Sequence, residues 1–308
     1  MKFSSVRPQN LDMMAVCAGA DGGPLRLGEC MMEPDQSVAE HYTHGALERT
    51  ILAALAAAGK NLDNLTPADL APVDEFHIGG RQATVDFAAK LQIKPGLDVL
   101  DIGSGLGGAS RYFAHECGCQ VTGIDLTAEF VNTAEFLAKQ VRLDGRVSYR
   151  QGSALDLPLA PASFDVAYML HVGMNIEDKA NLFGRVRRAL KPGGIFGIYD
   201  VMRDSGEGDL SFPVPWASRP DMSFVESPAA YRRLLESAGF TVLEERNRRA
   251  FAVEFFQHMR AGAASDAGPP PLGLHIVMGA SAPQKVANMI ENLERGLIAP
   301  VEIIGRAV

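Results

Sequence analysis

The sequence predicts an α/β protein built on a doubly wound, mostly parallel, seven-stranded sheet, with helices ahead of the sheet and a helical insertion before its last strand. Three observations carry this. Five short β-rich runs between residues 97 and 200, "LDVLDIG", "CQVTGID", "RVSYRQG", "FDVAYML" and "GIFGIYD", are separated by stretches of helical periodicity. The first run ends in a glycine turn, "GSGLGG" at 103–108, of the kind that opens a helix at the carboxyl edge of a parallel sheet. Two further β-rich runs, "FTVLEER" at 240–246 and "VEIIGRAV" at 301–308, bracket a stretch of helical patterns. Alternating strand and helix covers both faces of a sheet, which is why a strand such as "FDVAYML" is almost continuously apolar.

Taken in order, residues 1–44 read as an irregular leader. Its "LDMMAVCAGA", behind Lys2 and Arg7, is too short and too broken by Asp12 for a signal peptide. Residues 45–92 form a helical cap: 45–59 is rich in Ala and Leu, and "LTPADL" sets Thr66 as N-cap, Pro67 at the first helical position and Asp69 in the first turn. Residues 93–248 are the α/β core, in which Thr127 caps a helix carrying Phe130, Ala134, Leu137 and Val141 on one face. "RDSGEGDLSFPVPWASRPD" at 203–221 has the Gly, Pro and Ser content of a long loop, and Ser227 with Pro228 opens a helix through Ala238. Residues 249–299, with helices near 251–261 and 283–295 around "GAASDAGPPP", read either as a partial lid or as surface decoration. Residues 300–308 return as the last strand of the core.

Composition bounds the function. With 308 residues, 47% hydrophobic, and a formal net charge of -8, the chain is an ordinary globular one whose charge balance argues against a nucleic-acid partner, with a local basic face left open. The most apolar stretch, "ILAALAAAG" at 51–59, is far below the roughly 20 residues of a membrane span. Cys17, Cys30, Cys117 and Cys119 lack the paired spacing of a zinc site and are too sparse for a disulfide framework, so free thiols, a cytoplasmic location and no metal are expected. The expected partner is a small-molecule substrate, with a homodimer left open and neither nucleic acid nor membrane foreseen.

The glycine turn fits two ligands. Gly103, Gly105 and Gly108 match the dinucleotide fingerprint G-x-G-x-x-G, which on its own is weak. Charge separates the candidates. A pyrophosphate brings two negative charges to such a turn, whereas S-adenosylmethionine brings a sulfonium and an ammonium. Asp101, two residues before Gly103, repels the first and attracts the second by about 1–4 kcal/mol at 4 Å for effective dielectrics of about 80 to 20. Asp125, at the end of the next strand, can accept hydrogen bonds from ribose hydroxyls in either nucleotide, or simply precede a helix as its cap.

The runs "VLDIGSGLGG", "VTGIDLTAEFVNTA", "GSALDLPLAPASFDVAYML" and "RALKPGGIFGIYD" resemble, in order, the successive motifs of the Rossmann-like class I S-adenosylmethionine-dependent methyltransferases. The resemblance spans about residues 75 to 245. "DEFHIGGRQAT" and "HVGMNIEDK" are most similar to a small-molecule branch that includes ubiquinone-type C-methyltransferases and sarcosine/dimethylglycine N-methyltransferases. It implies that Asp101 orients the methionyl amino group, that Gly103, Ser104 and Gly105 let backbone approach the cofactor, that Asp125 and Leu126 hold ribose and adenine, and that Ser153 and Ala154 flank adenine. Many relatives carry an acidic residue where Ser153 stands, so the adenine contact departs from the family pattern. Gly79, with Gly80, is expected to close over the methionine end or to serve as a plain helix-opening turn.

Methyl transfer from a sulfonium is an in-line displacement that requires alignment, exclusion of water and, for a protonated nucleophile, a base. His171, just after the fourth strand, is the candidate base, with a structural histidine as the alternative. His77, Asn175, Tyr199, Asp200, Arg203 and Trp216 are the candidate substrate contacts; Arg203 would clamp a carboxylate unless it is a solvated loop residue. Tyr42 is a further possible cap, and Phe224, Phe255, Phe256 and His258 a candidate roof or part of a core. The expected activity is methyl transfer to a small molecule, an amine slightly before a carbon, oxygen or thioether acceptor. An NAD-dependent oxidoreductase and a cofactor-binding protein without catalysis are the alternatives.

Overall fold

The structure, a computed structural model, describes residues 34–42, 46–156, 159–263 and 271–308. Most of the expected leader, with Cys17 and Cys30, lies outside the described residues. Helices α1 (Pro34–Tyr42), α2 (Leu47–Ala57), α3 (Pro67–Asp74) and α4 (Gly80–Ala88) precede the first strand. The sheet then builds as β1 (Asp98–Ile102), α5 (Gly108–Glu116), β2 (Gln120–Asp125), α6 (Ala128–Gln140), β3 (Val147–Gln151), β4 (Phe164–Leu170), α7 (Lys179–Ala189), β5 (Leu190–Arg203), α8 (Pro228–Ser237) and β6 (Phe240–Asn247). Helices α9 (Arg249–Ala263), α10 (His275–Met278) and α11 (Ala282–Glu294) follow, and β7 (Ile298–Ala307) closes the sheet.

The seven strands lie in the order β3-β2-β1-β4-β5-β7-β6. β1 to β5 are parallel, and β7 runs antiparallel between β5 and β6. The fold is the α/β, doubly wound, mostly parallel seven-stranded sheet expected from the alternating pattern. Period-two geometry divides the side chains between two cores. Val99, Tyr168 and Tyr199 join α2 to α6 on one face, while their neighbours Leu100, Met169 and Ile198 join α7 and α8 on the other.

Local chemistry explains the helix starts, with one correction. The Asp69 carboxylate accepts from the backbone N–H and hydroxyl of Thr66 at 2.9 and 2.6 Å, fixing the first turn of α3. Ser227 accepts from the Ala230 N–H at 3.2 Å at the start of α8. Thr127 stands at the N-cap of α6, but its side chain makes no capping bond; Asp125 Oδ1 accepts the Thr127 N–H instead, at 2.9 Å. Helices α1 and α4 were not anticipated as separate elements. β5 begins at Leu190 and β7 at Ile298, earlier than the expected 194 and 301, because pairing carries each strand beyond its most apolar run. No helix among the described residues is long and apolar enough to cross a membrane.

One buried ion pair ties the helices before the sheet to the glycine turn. Arg111 on α5, fully buried, reaches Asp74 at the end of α3 at 2.5 Å and donates to the Leu106 carbonyl within the turn at 2.7 Å.

Candidate active site

The carboxyl ends of β1, β2 and β4 open into a cavity of about 1240 Å³, roofed by residues of α9, α10 and α11. Its floor is the glycine turn, where Gly103, Gly105 and Gly107 have φ of 69°, 53° and 78°. A Cβ on Gly103 would overlap the Val172 side chain, whereas one on Gly105 would stand in open space. Backbone and cavity therefore meet without an intervening side chain at Gly105.

Four amides of this turn are already used. Gly103 and Ser104 donate to the Ile124 carbonyl at 2.8 and 3.0 Å, and Gly107 donates to the Ser104 carbonyl at 2.8 Å. Gly105 donates to Asp125 Oδ2 at 2.8 Å, so a carboxylate sits where a phosphate-binding loop would present its N–H groups to the ligand. The turn is thus poorly arranged for a pyrophosphate.

Two buried carboxylates complete this floor. Asp101 Oδ2 accepts from the Ser110 hydroxyl at 2.6 Å. Burial pushes the Asp101 carboxyl up to about 7, and the negative charges of Asp125 and Glu75 add to the rise. Burial also raises Asp125, against the backbone hydrogen bonds that favour its charge. Their acidic neighbours are neutralised, Asp74 by Arg111 and Glu75 by Arg81 at 2.8 Å. Among the described residues neither Asp101 nor Asp125 has a Lys, Arg or His ion-pair partner. Ser104 Oγ, beside them, is buried without a hydrogen-bond partner.

His171 stands at the end of β4 with φ of 54°, held there by its N–H donating to the Tyr199 carbonyl at 2.7 Å. Its ring packs against Tyr199 and His77, with centroids 5.0 and 6.0 Å away, and its Nε2 is buried without a partner. Burial, then the nearby His77, holds the imidazole well below the usual histidine range, so it is neutral at pH 7. His77 is pushed down to about 4 by burial. Because the Thr84 hydroxyl donates to Glu75 at 2.7 Å, His77 Nε2, 3.1 Å from the same oxygen, must be the donor in that contact.

Of the expected site residues, His77, Asp101, Gly103, Ser104, Gly105, Asp125, Leu126, Ser153, Ala154, His171, Asn175 and Trp216 line the cavity. Gly79, Tyr199, Asp200 and Arg203 do not. Gly79 is the left-handed N-cap of α4, with Phe251 packed where its side chain would be; Gly80 faces the cavity instead. Tyr199 donates to the Ile78 carbonyl at 3.0 Å beneath the cavity wall. Asp200 points to the opposite sheet face, accepting from Tyr231 at 2.5 Å, and burial pushes it up to about 6. Arg203 donates to the Gly208 carbonyl at 3.1 Å, so it is held by its own loop rather than aimed at a ligand. Phe255 and Phe256 reach the cavity, while Phe224 and His258 are not among its lining residues. Sequence reasoning missed Ile78, Val286 and Met289, whose only signal was the apolar i, i+3 spacing of the last two.

Residues 100–198 match the family described as a methyltransferase domain. Over that segment the chain is similar to a methyltransferase domain. It is 34% identical over 123 residues to a sterol 24-C-methyltransferase of Gibberella zeae, covering 40% of this chain and 32% of that protein. It is 33% identical over 178 residues to phosphoethanolamine N-methyltransferase 1 of Zea mays, covering 57% of this chain and 34% of that one. The matched region therefore spans about a third of the length of these relatives. In fold it is similar to geranyl diphosphate C-methyltransferase from Streptomyces coelicolor, solved with Mg2+, geranyl diphosphate and S-adenosyl-L-homocysteine, with a TM-score of 0.65 at 17% identity over 90% of this chain and 99% of that one. The matched segment supplies the floor and part of the wall of the cavity, and residues on either side of it in sequence supply the rest of the wall and the roof.

Proposed function

We propose that the protein is an S-adenosylmethionine-dependent methyltransferase acting on a small-molecule acceptor. The observation that carries this is the pair of buried carboxylates, Asp101 and Asp125, without a cationic partner among the described residues, at a glycine turn where the Gly103, Ser104, Gly105 and Gly107 amides already donate within the protein. Buried charge of one sign calls for a ligand of the other. The sulfonium cofactor fits that demand, and a dinucleotide does not.

In this reading Asp101 binds the methionyl ammonium, and Gly105 lets the cofactor lie against the backbone. Each Asp125 oxygen already accepts one backbone N–H, from Thr127 and from Gly105, which leaves lone pairs for the ribose hydroxyls. Leu126 and Ala154 lie against the adenine, and Ser153 Oγ, which accepts the Leu155 N–H at 3.2 Å, keeps a lone pair for its amino group. The bound cofactor supplies an electrophilic methyl group, and the electrons of its S–C bond remain on sulfur as a neutral thioether. His171 takes the proton released by the acceptor as the new bond to carbon forms. His77, Asn175 and Trp216 shape the wall beside it. Asn175 is rigid there, donating to the Trp216 carbonyl at 2.8 Å and accepting from Tyr42 at 3.4 Å.

The sign of the pH dependence follows from Asp101. Its carboxyl, ordinarily near 4, is raised to about 7, so without ligand the fold loses stability as pH rises from about 4 through 7 and a charge is forced into the interior. A cationic ligand prefers the ionised form. Affinity for S-adenosylhomocysteine, which keeps the ammonium, is therefore expected to be about tenfold weaker at pH 6 than at pH 8. Asp101→Asn is expected to lose about 10- to 100-fold in affinity and to flatten this dependence. Calorimetric titration at the two pH values checks both, and transfer of label from methyl-labelled cofactor into a metabolite pool checks the activity. An Asn variant that binds as tightly as the parent would remove the ammonium assignment.

A further inference from the structure

The cavity is larger than the cofactor needs and changes character along its length. At about 1240 Å³ it exceeds the ~300–1,000 Å³ usual for a single small ligand. Its polar end is the glycine turn with Asp101, Asp125 and Ser153. Its other end is walled by Ile78, Met174, Trp216, Phe256 and Met289, which belong to a third apolar cluster distinct from the two described above. Met174 follows His171 by three residues, so this apolar wall begins at the candidate base.

The polar groups of Trp216 and Asn175 are spent within the protein. Trp216 Nε1 donates to the Ser223 hydroxyl at 2.9 Å, and both ends of the Asn175 amide are engaged. Among the described lining residues Arg260 is the sole Lys or Arg, and it is 56% exposed and paired with Glu294 at 3.2 Å. A phosphate or carboxylate placed here would be desolvated, with the exposed and already paired Arg260 as the one Lys or Arg among the described lining residues. A small polar amine would leave the apolar walls facing water.

Resting on the methyltransferase reading, we propose that the acceptor is an uncharged, largely hydrocarbon molecule that lies against Met174, Trp216, Phe256 and Met289 and presents its nucleophilic atom to His171. This replaces the initial preference for a simple amine. The flexible thioethers of Met174 and Met289 suit an irregular hydrocarbon body, and Trp216 offers a broad flat surface.

Trp216 is the single tryptophan of the chain, so intrinsic tryptophan fluorescence reports on this wall alone. Protein saturated with S-adenosylhomocysteine, with binding verified by calorimetry, is titrated with farnesol, progesterone, farnesyl diphosphate and phosphoethanolamine. The proposal expects a saturable change in emission with farnesol or progesterone, binding of farnesyl diphosphate weaker than farnesol by about tenfold or more, and no change with phosphoethanolamine. Met289→Asp is expected to weaken the neutral ligand by about tenfold or more, with S-adenosylhomocysteine binding as the check that the variant folds. Normal S-adenosylhomocysteine binding with no response to either neutral probe, or with either phosphorylated probe bound as tightly as farnesol, overturns the apolar-acceptor proposal alone. Absence of heat with S-adenosylhomocysteine overturns the methyltransferase reading and this proposal with it.

Discussion

Arg111→Met is expected to lower the unfolding free energy by about 3–5 kcal/mol. The cause is not the lost attraction alone. Asp74 is buried with Arg111 as its ion-pair partner, and burial already raises its carboxyl against that attraction. Without the guanidinium, the carboxylate must either remain as an unpaired buried charge or take up a proton. The double variant Asp74→Leu/Arg111→Met removes both charges and is expected to recover much of the loss, because a matched apolar pair carries no orphaned ion. Denaturant unfolding of the four proteins in the cycle checks this. Arg111 also holds the Leu106 carbonyl, so the single variant is expected to bind the cofactor more weakly as well. A double variant no more stable than Arg111→Met would show that the pair is not the source of the loss.

His171→Ala is expected to reduce kcat by about 10²- to 10⁴-fold, the range for loss of a positioned general base, while leaving cofactor affinity within about twofold. The separation follows from position. His171 touches Tyr199 and His77 at the end of β4, whereas the groups assigned to the cofactor lie on the turns after β1, β2 and β3. Burial keeps the imidazole neutral well below its usual range, so it can accept a proton across the whole neutral region. Consequently kcat at saturating cofactor is expected to be flat from about pH 7 to 8, with its acidic limb below 6.5, while affinity titrates near 7 through Asp101. Steady-state kinetics over that interval separates the two groups. An unchanged kcat in the Ala variant would leave His171 a structural residue.

The polar end of the cavity was largely legible in the sequence because strand ends are legible. A β-rich run that stops at a glycine turn places Asp101 and Gly103 at the sheet edge, and the next run places Asp125 beside them without any knowledge of distant packing. Tyr199, Asp200 and Arg203 show the limit of that logic. All three belong to β5, but adjacent strand residues face opposite sides of the sheet, and a strand that continues past the cavity carries Arg203 away from it. Asp200, which satisfies its charge beneath Tyr231, is part of the other core. The apolar end was less legible still. Val286 and Met289 have the ordinary spacing of a packed helix face, and only the folded chain shows that this face looks onto a cavity. Helix α4 was obscured by the glycines at its start, although Ala83, Thr84, Phe87 and Ala88 already trace one buried side.

The charge of the ligand decides whether the buried carboxylates accept it. The most direct measurement is isothermal titration of the purified chain at pH 8 with S-adenosylmethionine and, separately, with NADH. Saturable one-site heat with the sulfonium and none with the dinucleotide is the expected result. Heat with NADH and none with S-adenosylmethionine would contradict it.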